Sequence, residues 1–249
     1  MPFIPDVSLP QLALIVGLAA FSAVAGGIAG YGTGALMPLV LVPLVGAQPV
    51  VPIIAVSAMF TNAARIVAFR KQLDARRALV ALVAALPTCL LGAWLYTSLN
   101  GRGAALLIGS TLIATVPLRR ILKKRGHRLG AKGYAAGALA WGLVAGGSLG
   151  AGVILLSLLM AVGLEGAAVI ATDAMVSLAV GVAKLAVFGV AGVLTPVVLA
   201  VGLLIGVVGF FCTFLARLIV ERLPVHVHAA ILDVVVILGA GIMMVAALR

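Results

Sequence analysis

The chain has 249 residues, 64% of them hydrophobic and 9% charged, with a formal net charge of +11. A soluble domain needs about a quarter of its residues charged to cover its surface, so a water-facing globule is excluded. The apolar residues come in continuous runs rather than in period-two alternation, which argues against a β-barrel and for helices that span lipid.

In chain order the apolar runs fall at 11–46, 49–69, 78–98, 103–121, 134–161, 166–189, 194–216 and 227–248. The expected fold is an all-α polytopic membrane protein with about eight transmembrane helices in two repeats. Most runs match the ~20 residues that cross a bilayer. The first and fifth are too long, and both contain glycine clusters, so these two helices are expected to be broken there. No basic stretch precedes the first run, which is therefore expected to be retained rather than cleaved. Basic residues gather between runs: Arg65, Arg70, Lys71, Arg76 and Arg77 in one cluster, Arg119, Arg120, Lys123, Lys124, Arg125, Arg128 and Lys132 in another. Such clusters mark cytoplasmic loops and contacts with anionic headgroups. The positive charge therefore reads as topology, not as a nucleic-acid surface, and the expected location is the bacterial inner membrane, multi-pass.

The two glycine clusters are related. Gly26, Gly30 and Gly34 recur as Gly142, Gly146 and Gly150, each displaced by 116 positions. Ile54-Ala55 and Ala58-Met59 recur at the same offset as Ile170-Ala171 and Ala174-Met175. The expected organisation is an N-terminal transmembrane repeat over 1–121, a basic cytoplasmic linker over 122–133 and a C-terminal repeat over 134–249. Eight spans make the halves parallel and place both termini with the basic clusters. If 35–46 and 151–161 are separate crossings, each half has five elements, the halves are inverted, and the termini lie opposite the clusters. Those segments span only about 18 Å at 1.5 Å per residue, which favours eight spans with broken or re-entrant elements; the inverted arrangement stays open because transporters commonly use it.

The clusters themselves, AGGIAGYGTGALMP at 25–38 and AWGLVAGGSLGAGV at 140–153, allow two readings. Glycine every fourth residue makes a smooth ridge for close helix packing. Denser spacing breaks a helix, and the freed N–H groups at a half-helix N-terminus suit an anion. A Gly-rich break running into a proline-bounded apolar segment, then a small-residue helix with Ser, Thr and Asn, a basic loop and a second copy, resembles the TauE/SafE sulfite exporter family. The residues concerned are Gly26 to Pro38 and, less perfectly, Gly146 to Gly152, with Tyr31 and Thr33 standing where the family often has denser glycine. The resemblance implies a secondary transporter, an exporter by its family, for small anions such as sulfite, sulfonates or other sulfur-containing organic anions. A passive anion channel and a proton-coupled uptake permease are the alternatives.

Candidate substrate-binding residues are Gly30, Gly32, Thr33 and Gly34 at the first break and Gly147, Ser148 and Gly150 at the second. Ser57, Thr61, Asn62 and Thr172 add hydroxyl and amide groups within spans; such groups equally bridge helices. Asp173 is an intramembrane carboxylate, a costly group that points to gating or proton coupling. Lys184 follows eleven residues later, about 16 Å along a helix at 1.5 Å per residue, too far for an ion pair with Asp173. The ordinary expectation for Lys184 is snorkelling to the interface; the sharper one is a gating or substrate-attracting cation. Arg65 near the end of the second run reads as topological, and Asp233 is a weaker candidate carboxylate.

Enzymatic function is not expected. Gly146-Gly147-Ser148-Leu149-Gly150 matches G-x-S-x-G, but the histidines (His127, His226 and His228) fall outside or at the edge of the runs, away from any serine they would activate. Cys89 and Cys212 lie inside apolar runs without metal-ligand spacing, so no metal and no cofactor is expected. The expected partners are the small anion, the bilayer and, through small-residue faces, a second copy in a homodimer.

Overall fold

A computed structural model describes residues 9–29, 33–125 and 129–220. Its helices are α1 (Leu9–Ala29), α2 (Thr33–Val45), α3 (Val50–Phe69), α4 (Ala75–Thr97), α5 (Gly101–Arg125), α6 (Ala131–Gly147), α7 (Gly152–Ala161), α8 (Gly166–Val190) and α9 (Pro196–Val220), with a 3-10 turn at Arg70–Gln72. Every regular element among the described residues is helical. Among the described residues, four stretches are long and apolar enough to cross a membrane: Val50–Gln72, Ala75–Thr97, Gly166–Val190 and Pro196–Phe214. Gly30, Gly32, His127 and the whole expected run at 227–248, with Asp233, lie outside the described residues.

The fifth apolar run is two helices. Residues 148–151 interrupt it, with Gly150 at φ +79°, a left-handed conformation that glycine adopts without steric cost. The chain then turns back on itself. The Leu129 N–H donates to Ala161 O at 2.8 Å, the Trp141 indole N–H donates to Ala151 O at 2.9 Å, and Leu158 lies against Gly137. α6 and α7 are therefore an antiparallel hairpin. The first apolar run is likewise divided, into α1 and α2.

Small residues decide which helices touch. A Cβ at Gly142 would fall on Ala85 O, and one at Gly146 on Cys89 O; α4 and α6 thus run parallel with their backbones in contact, as glycine-rich ridges allow. α9 meets α3 in the same way: Gly202 faces Val56 and Gly206 faces Phe60. α3 and α8 instead cross antiparallel, since Arg65 reaches Asp173 while Met59 lies against Gly181.

One end of the bundle is tied by a polar cluster at the start of α4. The Asp74 side chain accepts from the Arg77 N–H at 2.9 Å, closing the first turn of α4 as an N-cap. The Arg77 guanidinium donates to Asp74 at 2.6 Å and to Val162 O, just past α7, at 2.8 Å. The Asp74 N–H donates to Thr172 Oγ1 at 3.1 Å, and the Tyr134 hydroxyl donates to Arg77 O at 3.0 Å. Four helices meet on one loop.

The Arg77 N–H, ahead of the Arg77 guanidinium and against partial burial, holds the Asp74 carboxyl below the usual carboxylate range. A depressed folded-state pKa means stability that is present above the ordinary carboxylate pKa and lost as pH falls through the folded value. Asp74→Ala is expected to cost about 1 kcal/mol near neutral pH, as lost caps do. In thermal unfolding scans the variant and the parent should converge as the pH drops into the acid range. A gap that persists in strong acid would assign the loss to packing instead.

Candidate functional site

The two breaks meet. A Cβ at Gly34 would lie 3.4 Å from the Gly150 backbone nitrogen, although the two glycines are 116 residues apart. From this point α2 leads toward Val45 and the loop beneath Tyr96, whose hydroxyl donates to Gln48 O at 2.9 Å. α7 leads the other way, toward Val162 and the Arg77 cluster. The N-terminal ends of two short helices therefore converge in the middle of the bundle, and the N-terminal end of a helix carries partial positive charge.

Beside them is a cavity of about 160 Å³. Drug-sized ligands occupy pockets of roughly 300–1,000 Å³, so this one suits a small ion. Its wall includes Thr33 and Gly34 from the first break, Ser148, Gly150 and Gly152 from the second, and Thr61, Asn62, Arg65, Asp173, Ser177 and Lys184 from α3 and α8.

Lys184 is 6% exposed. It does not snorkel. Its ammonium donates to Ala145 O at 2.8 Å and to Ser148 O at 3.3 Å, with the Phe188 ring centroid 5.8 Å away. The last carbonyls of a helix have no partner within it, and a cation there also meets the negative end of the helix dipole. Lys184 therefore caps α6 at the point where the chain breaks, which is why it can remain buried.

Arg65 and Asp173 face each other across the α3–α8 crossing, Nη1 to Oδ2 at 3.8 Å, with side chains 13% and 3% exposed. This approach is longer than the 2.7–2.9 Å of a good charge-assisted hydrogen bond. Asp173 Oδ1 is fully shielded and finds no hydrogen-bond partner among the described residues. With all three ionised, the cavity wall carries two cations and one anion.

The remaining candidates divide. Thr33, Gly34, Thr61, Asn62, Ser148 and Gly150 line the cavity, although Thr61 also donates to Ala58 O at 3.3 Å and Ser148 to Leu149 O at 3.3 Å. Three others are used for structure. Ser57 donates to Ile54 O within its own helix at 3.0 Å, Thr172 receives the Asp74 N–H, and Gly147 lies against Gly92 O. None of these three is on the cavity wall. Sequence reasoning missed Arg65 as a site residue. Its position four residues after Thr61 and three after Asn62, one turn along the same face, was the available signal.

A family model described as sulfite exporter TauE/SafE matches residues 13–244. No curated protein and no solved structure gives a match.

Proposed function

Since the chain belongs to the sulfite exporter TauE/SafE family, a family of membrane exporters, we propose that it carries small sulfur-containing anions across the bacterial inner membrane through the cavity between the two breaks. One observation carries the reading: two cations, the part-buried Arg65 and the buried Lys184, and the starts of α2 and α7 border the same small cavity. Charge at membrane depth is costly. Lys184 is held by Ala145 O and Ser148 O and Arg65 faces Asp173, and both cations still border the cavity, where their positive charge suits an anion. Thr33, Thr61, Asn62 and Ser148 add hydrogen-bonding groups around it, and no catalytic step is required.

The antiparallel crossing of α3 and α8 supports the inverted, ten-element arrangement over eight parallel spans. Equivalent helices related by an axis in the membrane plane must run oppositely, and Gly34 meeting its counterpart Gly150 fits such an axis. Arg70, Lys71 and Arg76, exposed at the α4 end, then mark the cytoplasmic side. The backbone pattern is duplicated and the charges are not: the positions matching Arg65, Asp173 and Lys184 are Gly181, Ser57 and Ala68. Each charge thus occurs once per cavity, giving a single small-ion site rather than two.

A negative-inside potential disfavours an internal anion by about 2.3 kcal/mol per charge per 100 mV, so export runs downhill. Uptake would need a coupled proton, and the buried carboxylate of Asp173 makes that the second reading. Detergent-purified protein should be screened by thermal shift against sulfite, sulfate, thiosulfate, sulfoacetate, taurine, acetate and chloride. A true ligand at a hundred times its Kd should add about 2.7 kcal/mol of stability. Selective stabilisation by a sulfur anion is the expected result, followed by flux of that anion in liposomes. Indifference to every sulfur anion, together with no flux, would end the reading.

A further inference from the structure

Asp173 stands in the wrong place for a site that binds only negative charge. The residue lines the cavity, is 2% exposed, and directs one carboxylate oxygen toward Arg65. The other oxygen, Oδ1, has no hydrogen-bond partner among the described residues. Lys184 does not compensate it, because the Lys184 ammonium is engaged with Ala145 O and Ser148 O. A buried acceptor left without a donor is strongly unfavourable. A bare anion entering the cavity would add repulsion to that cost.

We infer that the substrate carries, beside its anionic group, a hydrogen-bond donor of its own, a hydroxyl or ammonium group, which the Asp173 carboxylate accepts by turning its unpaired oxygen to the cavity, while Arg65 and the two helix starts take the anionic end. This rests on the anion-transport reading above and narrows it. Asp173 then acts as a specificity-determining residue. It turns repulsion of simple anions into selection for one chemical class, since sites built to hydrogen-bond a ligand discriminate sharply against analogues that lack the group.

The test uses three ligands with the same ethane chain and a sulfonate that is permanently ionised at neutral pH: ethanesulfonate, 2-hydroxyethanesulfonate and 2-aminoethanesulfonate, the last a zwitterion. Binding to the purified full chain is measured by titration at one pH. At least one donor-bearing ligand is expected to bind tenfold or more tightly than ethanesulfonate. Preference for the hydroxyl compound identifies a neutral hydrogen bond; preference for the ammonium compound alone identifies an ion pair. Asp173→Val is expected to remove the preference, and the ratio in the unsubstituted protein stands by itself if that variant does not fold. Equal or tighter binding of ethanesulfonate overturns the inference and leaves anion transport intact. Absence of binding by all three, together with the other sulfur anions, removes both.

Discussion

Lys184→Met is expected to weaken binding of the stabilising anion by about 10- to 150-fold, the equivalent of the 1.5–3 kcal/mol that a hydrogen bond to a charged group contributes. Methionine keeps the length and apolar character of the lysine stem, so the surrounding packing changes little. What is lost is the ammonium that now holds Ala145 O and Ser148 O. Those carbonyls terminate α6 beside the cavity, and without a cation they are buried acceptors at the negative end of a helix dipole. The variant should therefore show two defects: a lower unfolding temperature without ligand, and a smaller shift on adding it. Titration calorimetry and thermal unfolding on the same preparation separate them. Unchanged affinity with lowered stability would restrict Lys184 to capping α6, and would leave Arg65 as the cation that faces the anion.

The second large effect concerns the fold. Gly146→Ala is expected to destabilise the protein by about 3 kcal/mol, the upper part of the range for overpacking a tight contact. Its Cβ would fall on the Cys89 carbonyl oxygen and lie 2.9 Å from the Ala93 nitrogen. Both are backbone atoms of α4, so no rotamer change can clear them; α4 and α6 must separate. Gly17→Ala in α1 is the control. Nothing lies within 4 Å of a Cβ there, and alanine is the better helix former by about 1 kcal/mol, so this variant should be neutral or slightly more stable. Apparent unfolding temperatures in detergent should rank Gly17→Ala, then the parent, then Gly146→Ala. Equal loss at both positions would mean that glycine flexibility, not close approach, is what these positions require.

The two roles expected of the glycine clusters turn out to be divided between neighbouring positions. Gly142 and Gly146 form the packing ridge against α4, while Gly150, four residues on, makes the turn with its positive φ. A spacing of four is visible in the sequence for all three. Which glycine packs and which turns depends on where α4 lies, and α4 is some fifty residues away.

Several features were legible because they depend only on the chain's own composition and order. Apolar runs must leave water, and the bilayer demands internally satisfied backbone, so an all-helical membrane protein followed from the runs themselves. The break in the fifth run followed from dense glycine, the 116-residue displacement of the clusters from their spacing, and the burial of Asp173, a costly carboxylate, from its place inside an apolar run. Partners were another matter. That Lys184 caps α6 instead of reaching the interface, that Arg65 faces Asp173, and that Ser57 and Thr172 serve local hydrogen bonds were all decided by the tertiary structure. So was the return of α7 along α6. Helical periodicity states which residues share a face, but not which other helix that face meets or in which direction it runs. Those choices rest on close backbone contacts and a few buried polar bonds between residues far apart in the chain, and their energies exist only once the helices are assembled.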